Sequence, residues 1–268
     1  RLADACGCVV AELREVPNQP LVFAGETKGI GEDDLIVHTW QRFLAGGDDR
    51  WPARLPMTKS AVRAMDAITA FCATPEGGGL KVDRFAVSGA SKRGWTTWTT
   101  AAVDPRVVAI APLVIDVLNL DRFYDHMYRS YGAWPADVYT GMGIHDRMGD
   151  PRYRALMEIE DPWEYRERLT LPKLIINSAG DPCFPADSWR NYWDGLTGPK
   201  YLRYIPNTGH SLQGTDAMDS VLAFHRAVLR GDPLPRYGWT FEDDGSVRVT
   251  AADKPDRVRV WSATNPKA

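Results

Sequence analysis

The 268-residue chain has a formal net charge of −3, with 44% hydrophobic and 25% charged side chains. That balance suits a globular chain with one sizeable core and excludes an electrostatic drive toward nucleic acid or an anionic membrane surface. No apolar run reaches the length needed to cross a bilayer. The four cysteines, Cys6, Cys8, Cys72 and Cys183, lack zinc-finger spacing; Cys8 and Cys72 sit in apolar runs and read as buried thiols.

Residues 8–16 read as a strand that Pro17-Asn18-Gln19-Pro20 breaks. Helical apolar spacing runs over 32–44 through Leu35, Ile36, Trp40, Phe43 and Leu44. A longer helix follows over 57–73, with Thr58 as N-cap and Ala61, Val62, Met65, Ile68 and Phe71 as its apolar face. Residues 84–88 read as a strand, followed by a turn at Ser91 and a helix to about Ala102. Val107 to Ile115 is nearly continuous apolar sequence, the pattern of a parallel strand buried on both faces. Residues 121–168 hold short helical pieces and many aromatic side chains, as in a lid. A strand at 174–177, a helix at 186–196, a strand at 201–205 and a helix at 216–229 complete an alternating order. That order implies a mostly parallel sheet with helices on both faces, an α/β architecture.

Past Pro235 the pattern changes. Residues 239–241, 246–250 and 257–261 read as an antiparallel β unit. An α/β domain over 1–235 and the start of a small β domain over 236–268 are therefore expected. The last strand has nothing after it to pair with, and sequence is expected to be missing at both ends.

The chemistry concentrates in Phe85-Ala86-Val87-Ser88-Gly89-Ala90-Ser91-Lys92-Arg93-Gly94. An apolar strand enters a Gly-x-Ser turn and a helix leaves it, the layout that presents a serine nucleophile at a sheet's carboxyl edge. Strand 174–177 ends in Ser178-Ala179-Gly180-Asp181. Strand 201–205 leads into Pro206-Asn207-Thr208-Gly209-His210. A serine, an acid and a histidine thus each follow a separate strand, in the chain order Ser, Asp, His of α/β-hydrolases. A serine hydroxyl needs an imidazole to take its proton, and a carboxylate fixes the imidazole tautomer. Ser91 is the candidate nucleophile, His210 the base and Asp181 the acid. Asp116, after strand 107–115, is the alternative acid, although an Asp there is more often a turn former.

The strings GASKRGWTTW, LPMTKSAVRAMD, GDPCFPADS, GPKYLRYIPNTGHSL and VWSATNP resemble the PhoPQ-activated pathogenicity-related proteins over nearly the whole chain. The resemblance implies an α/β-hydrolase fold, Ser91, His210 and Asp181 as its site, mostly exported members, early strands upstream of residue 1 and a longer carboxyl-terminal β domain. The second glycine of the elbow falls one position late, at Gly94, and Arg93 stands where glycine is usual. That spacing is similar to glucuronoyl esterases, where a cation after the serine helps hold the oxyanion. The likeness implies Lys92 as an oxyanion residue through its N–H, assisted by its ammonium; the bland alternative is a solvated Lys-Arg pair. A second oxyanion donor is expected upstream of residue 1.

Other residues carry plainer readings. Asp187 reads as a first-turn acid of the helix at 186–196. His38 reads as structural, His225 as exposed or capping, and the lid residues His126 and His145 as surface or packing groups. Arg122, Tyr128, Trp134 and Tyr139 are candidates for cleft lining. No grouping has metal spacing, and no cofactor is implied. The expected activity is a serine hydrolase acting on an ester through an acyl-enzyme, with a small-molecule substrate. Two alternatives stand beside it. One is a peptidase on the same triad, with Arg122, Arg129 or Asp125 anchoring a peptide terminus. The other is a catalytically degenerate binding or signalling protein.

Overall fold

The computed structural model describes residues 2–133 and 138–264. Four parallel strands form the central sheet in the order β1-β2-β3-β4: β1 (Phe85–Ala90), β2 (Val107–Leu113), β3 (Lys173–Ser178) and β4 (Lys200–Ile205). All pairings are parallel, so all four carboxyl ends lie along one edge. Strand alternation sends Ile110 and Ile175 to one face and Ala109, Ala111, Leu113, Leu174 and Ile176 to the other. Both faces are covered, as a parallel sheet requires. The larger core holds residues of α2 (Glu32–Leu44), α3 (Arg54–Cys72), α4 (Lys92–Val103), α5 (Leu120–Tyr131) and α7 (Pro151–Glu160). On the other face, Ala217, Val221 and Phe224 of the last helix pack against the sheet.

We number the short helices Leu2–Cys6 and Val138–Gly141 as α1 and α6, and the last, Ala217–Arg230, as α8. The hairpin β5 (Tyr237–Phe241) and β6 (Val247–Ala251) forms a separate antiparallel sheet. It is joined to the body by aromatic contacts: Trp239 lies 5.1 Å from Trp193, and Phe241 stacks on Trp189 at 6.2 Å.

Several expected elements differ. Residues 8–16 form no strand; Val9, Val10 and Leu13 lie exposed and pair with no strand among the described residues. Cys8 is not a buried thiol but is joined to Cys6 by a disulfide, whereas Cys72 is a buried thiol. The helix expected from 57 starts at Arg54, so Thr58 lies inside it rather than at its cap. There its buried hydroxyl meets that of Thr99 at 2.6 Å and ties α3 to α4. Residues 186–196 make two short 3-10 turns, Ser188–Asn191 and Trp193–Gly195, instead of one helix. Trp189 and Trp193 turn toward the hairpin, and Gly195 lies so close to the Trp163 ring that a Cβ would sit 2.2 Å from it. Residues 257–261 form no strand; Val258, Val260 and Trp261 are exposed and find no partner strand among the described residues.

His225 on α8 is neither exposed nor capping. It is half-buried, with its Nε2 3.4 Å from Ser88 Oγ, and burial pulls its pKa down to about 4. An unfolded histidine titrates near 6.5, so between about 4 and 6.5 the unfolded chain binds the extra proton. Its contribution is therefore present above that window and lost as pH falls through it. His225→Gln is expected to flatten the acid limb of stability, read as the urea midpoint at pH 7 and at pH 4.5. An unchanged limb would assign the acid sensitivity elsewhere.

Candidate active site

The β1–α4 turn carries the first candidate. Ser91 sits at φ 54°, ψ −128°, a backbone conformation costly for a residue with a Cβ. The turn is pinned at both ends: Ser91 N–H donates to the Leu113 carbonyl at 2.9 Å, and the Ser91 carbonyl accepts from Trp95 N–H at 3.0 Å. Two glycines make the approach possible. A Cβ at Gly89 would lie 2.4 Å from the Arg93 carbonyl oxygen, and one at Gly94 would lie 2.7 Å from Ile115 Cγ2 and 2.9 Å from the Gly89 oxygen. Gly94 thus does the close packing that position 93 performs in the usual spacing, and Arg93 is released to reach Glu32 at 3.0 Å.

Lys92 is not a solvated cation. It is 8% exposed, and its ammonium lies 2.7 Å from Glu32 and 3.2 Å from Asp33, at the start of α2. Arg93 foremost, with Lys92 and Gln19, holds the Glu32 carboxyl down at about 2 against the opposing effect of its burial. Tyr139 OH donates to Asp33 at 3.1 Å, so one lid residue joins this cluster. The ammonium is committed to carboxylates. The Lys92 N–H, first in its helix, has no intrahelical acceptor and lies at the positive end of the helix dipole.

Beneath the turn lies a buried cation that sequence reading missed. Arg54 on α3 is 1% exposed; its Nη1 donates to the Lys92 carbonyl at 2.6 Å and its Nε to Glu160 at 3.2 Å. Its guanidinium stacks over Trp95 at 4.5 Å, and Trp95 Nε1–H donates to the Glu160 carbonyl at 2.6 Å. Arg54 and Glu160 are far apart in sequence, and no local pattern pairs them.

The acid and the imidazole come from the loops after β3 and β4. Ser178 Oγ donates to the Thr208 carbonyl at 2.5 Å and accepts from Gly180 N–H at 3.1 Å, which fastens one loop to the other. Asp181 Oδ2 then lies 2.8 Å from His210 Nδ1, while Oδ1 accepts from Cys183 N–H at 2.8 Å. The Asp181 side chain is 1% exposed and that of His210 32%. The structure therefore brings Asp181 and His210 together. Ser91 Oγ and His210 share no hydrogen bond in it; in ligand-free enzymes that contact is often loose until substrate closes it.

Asp116 lies elsewhere in the bonding pattern. It is buried and accepts from Tyr192 OH at 2.5 Å and from Tyr204 OH, and burial raises its pKa to about 7. It makes no hydrogen bond to His210.

The remaining candidates fall into place. His38 packs against the Phe23 ring at 4.5 Å in a tilted pair and lies 3.7 Å from Glu26, a structural role. His126 Nε2 on α5 lies 2.7 Å from Asp187 Oδ1, joining the lid to the loop before Ser188. His145 lies 3.5 Å from Asp146. Arg122 and Tyr128 are exposed, Arg129 pairs with Asp125 at 2.9 Å, and Trp134 lies outside the described residues. A cleft of about 700 Å³ opens between the hairpin and Trp189, Trp193 and Lys200; none of Ser91, Asp181 or His210 lines it. One grouping among the described residues places metal-ligating atoms together: a carboxylate oxygen of Asp181, Cys183 Sγ and a ring nitrogen of His210 lie within 4.8 Å of one another. No described helix is long and apolar enough to cross a membrane.

The parallel sheet, with helices on both faces and these loops at its carboxyl edge, is an α/β-hydrolase fold. It matches acetyl xylan esterase 1 from Thermoanaerobacterium sp. JW/SL YS485 at TM-score 0.51 and 18% identity, over 78% of this chain and 61% of that one. An acetyl xylan esterase from Paenibacillus sp. R4 matches at TM-score 0.53 and 19% identity, over 78% of this chain and 60% of that one. At such identities the likeness is one of fold. The chain belongs to the PhoPQ-activated pathogenicity-related protein family, whose model matches residues 1–268. It is 39% identical to the autocrine proliferation repressor protein A of Dictyostelium discoideum over 272 residues, 96% of this chain and 54% of that protein. The chain thus spans about half the length of that relative.

Proposed function

We propose that the protein is a serine hydrolase that cleaves a carboxylic ester through an acyl-enzyme. The observation that carries the proposal is Ser91 held at φ 54°, ψ −128° between a parallel strand and a helix, where folding alone has no need of a strained serine. Support comes from the 2.8 Å contact of Asp181 with His210 Nδ1, which leaves Nε2 as the base. In the proposed reaction Ser91 Oγ attacks the carbonyl carbon and its proton passes to His210 Nε2. The Lys92 N–H stabilises the oxyanion, and the proton then leaves on the alcohol. Water repeats the sequence to release the acid. No cofactor takes part in this scheme. Export to an oxidising compartment is part of the proposal, and the Cys6–Cys8 disulfide supports it.

An exopeptidase needs an anchor for a charged terminus; Arg129 and Asp125 are engaged with each other, which leaves the exposed Arg122 as the candidate anchor for that reading. The degenerate binding or signalling protein draws support from the Dictyostelium relative, named as a proliferation repressor. Fluorophosphonate labelling separates the cases. The wild type is expected to label, and Ser91→Ala and His210→Ala are not. A folded wild-type chain that stays unlabelled would leave the binding protein, and labelling that survives Ser91→Ala would place the nucleophile elsewhere.

A further inference from the structure

We propose that Asp181, Cys183 and His210 form a Zn²⁺ site that shuts off the acid–base pair of the hydrolase. The three side chains offer a carboxylate oxygen, a thiolate sulfur and an imidazole nitrogen, with the donor atoms within 4.8 Å of one another. Zinc takes this mixture of ligands, at about 2.0–2.3 Å and in a tetrahedron. The corresponding donor–donor separations are about 3.3–3.7 Å. Asp181 Oδ2 and His210 Nδ1, now 2.8 Å apart, need to part by about half an ångström, and the sulfur needs to close by up to about 1 Å. Magnesium and calcium prefer all-oxygen shells, so the thiolate selects against them.

The site is partly pre-organised. The Asp181 side chain is 1% exposed and is oriented by the Cys183 N–H at 2.8 Å, while His210, 32% exposed, leaves a path from solvent. Three protein ligands leave a fourth position for water. The aspartate and cysteine come from Asp181-Pro182-Cys183 and the histidine from the next loop. The tie between Ser178 and Thr208 holds the two loops together.

The consequence follows from the imidazole. In the metal-free pair, Nδ1 carries the proton that Asp181 accepts, and Nε2 keeps the lone pair that takes the serine proton. When zinc binds Nδ1, that lone pair goes to the metal and the ring proton resides on Nε2. The Cys183 thiol loses its proton to solvent. An Nε2 that already carries a proton is no base, so Ser91 stays a hydroxyl. Zinc binding is independent of catalysis; only the shut-off rests on the hydrolase proposal.

The test uses the full chain, with Co²⁺ as a spectroscopic stand-in and Zn²⁺ in calorimetry. Of the four cysteines, Cys6 and Cys8 are bridged and Cys72 is buried, so a thiolate-to-Co²⁺ charge-transfer band reports Cys183. The wild type is expected to show that band, bleached by Zn²⁺. Cys183→Ser, which keeps the backbone donor to Asp181, is expected to lose it and to bind Zn²⁺ at least about tenfold more weakly. His210→Ala should also lose the band. Fluorophosphonate labelling, compared with and without Zn²⁺ within each protein, should fall for the wild type, return with chelator, and stay level in Cys183→Ser. No band, or equal Zn²⁺ affinity in wild type and Cys183→Ser, overturns the site. A band and calorimetric binding in a protein that never labels would keep the site and sink the hydrolase; labelling without a band would do the reverse.

Discussion

Replacing His210 by alanine is expected to lower kcat on an activated ester by about 10⁴- to 10⁶-fold, and Ser91→Ala by a similar factor. The two losses should not multiply, because nucleophile and base act as one unit; the double variant should fall no further than either single one. The two acids should separate cleanly. Asp181→Asn keeps the size of the group that meets His210 at 2.8 Å but stabilises the wrong imidazole tautomer, a loss of about 10³- to 10⁴-fold. Asp116→Asn replaces a buried carboxyl whose pKa is raised to about 7 and whose partners are Tyr192 and Tyr204. It should leave kcat within about tenfold and change stability by about 1 kcal/mol, the scale of one hydrogen bond rearranged. If Asp116→Asn were the more damaging variant, the acid would have to be reassigned.

The largest effect on stability is expected at Arg54. Arg54→Ala leaves Glu160, fully buried, without its ion-pair partner, a loss of about 3–5 kcal/mol. It also removes the donor to the Lys92 carbonyl at 2.6 Å and the cation over Trp95. Removing both charges, as in Arg54→Met with Glu160→Leu, should recover much of the loss, since a buried ion pair adds little over apolar packing of similar volume. The recovery should be incomplete because the Lys92 carbonyl keeps the Thr96 hydroxyl as donor at 3.0 Å but loses the charged one. Arg54→Lys should fall between, because a single ammonium lacks the fork that reaches Glu160 and the carbonyl together. Urea midpoints of the four proteins check the order; equal midpoints for Arg54→Ala and the double variant would mean that the charge pair does not govern stability.

Much of the fold was legible because the signals are local. The apolar periodicity of 32–44 gives α2, Glu32–Leu44, at its predicted limits, and the continuous run from Val107 is the doubly buried β2. The Gly-x-Ser turn gives the position of Ser91, and the order of strands brings Asp181 and His210 to one edge. What stayed hidden depends on contacts across the chain. The partners of Lys92 are Glu32 and Asp33, on a helix far upstream, and the partner of Arg54 is Glu160. The 186–196 segment has helical composition, yet its tryptophans are drawn toward the hairpin and it breaks into two turns. Valines at 9 and 10 suit a strand, but with no neighbouring strand among the described residues to accept their backbone they stay irregular.

Under the proposed reaction, the backbone at position 91 sets chemistry against folding. At φ 54° any residue with a Cβ is strained, and an alanine would inherit the strain while losing the hydroxyl. Glycine alone would relax there, making the fold more comfortable and the site inert. By the standard of stability the serine is the wrong residue, and under the proposed reaction this turn is a place where the chain gives up steadiness for reactivity.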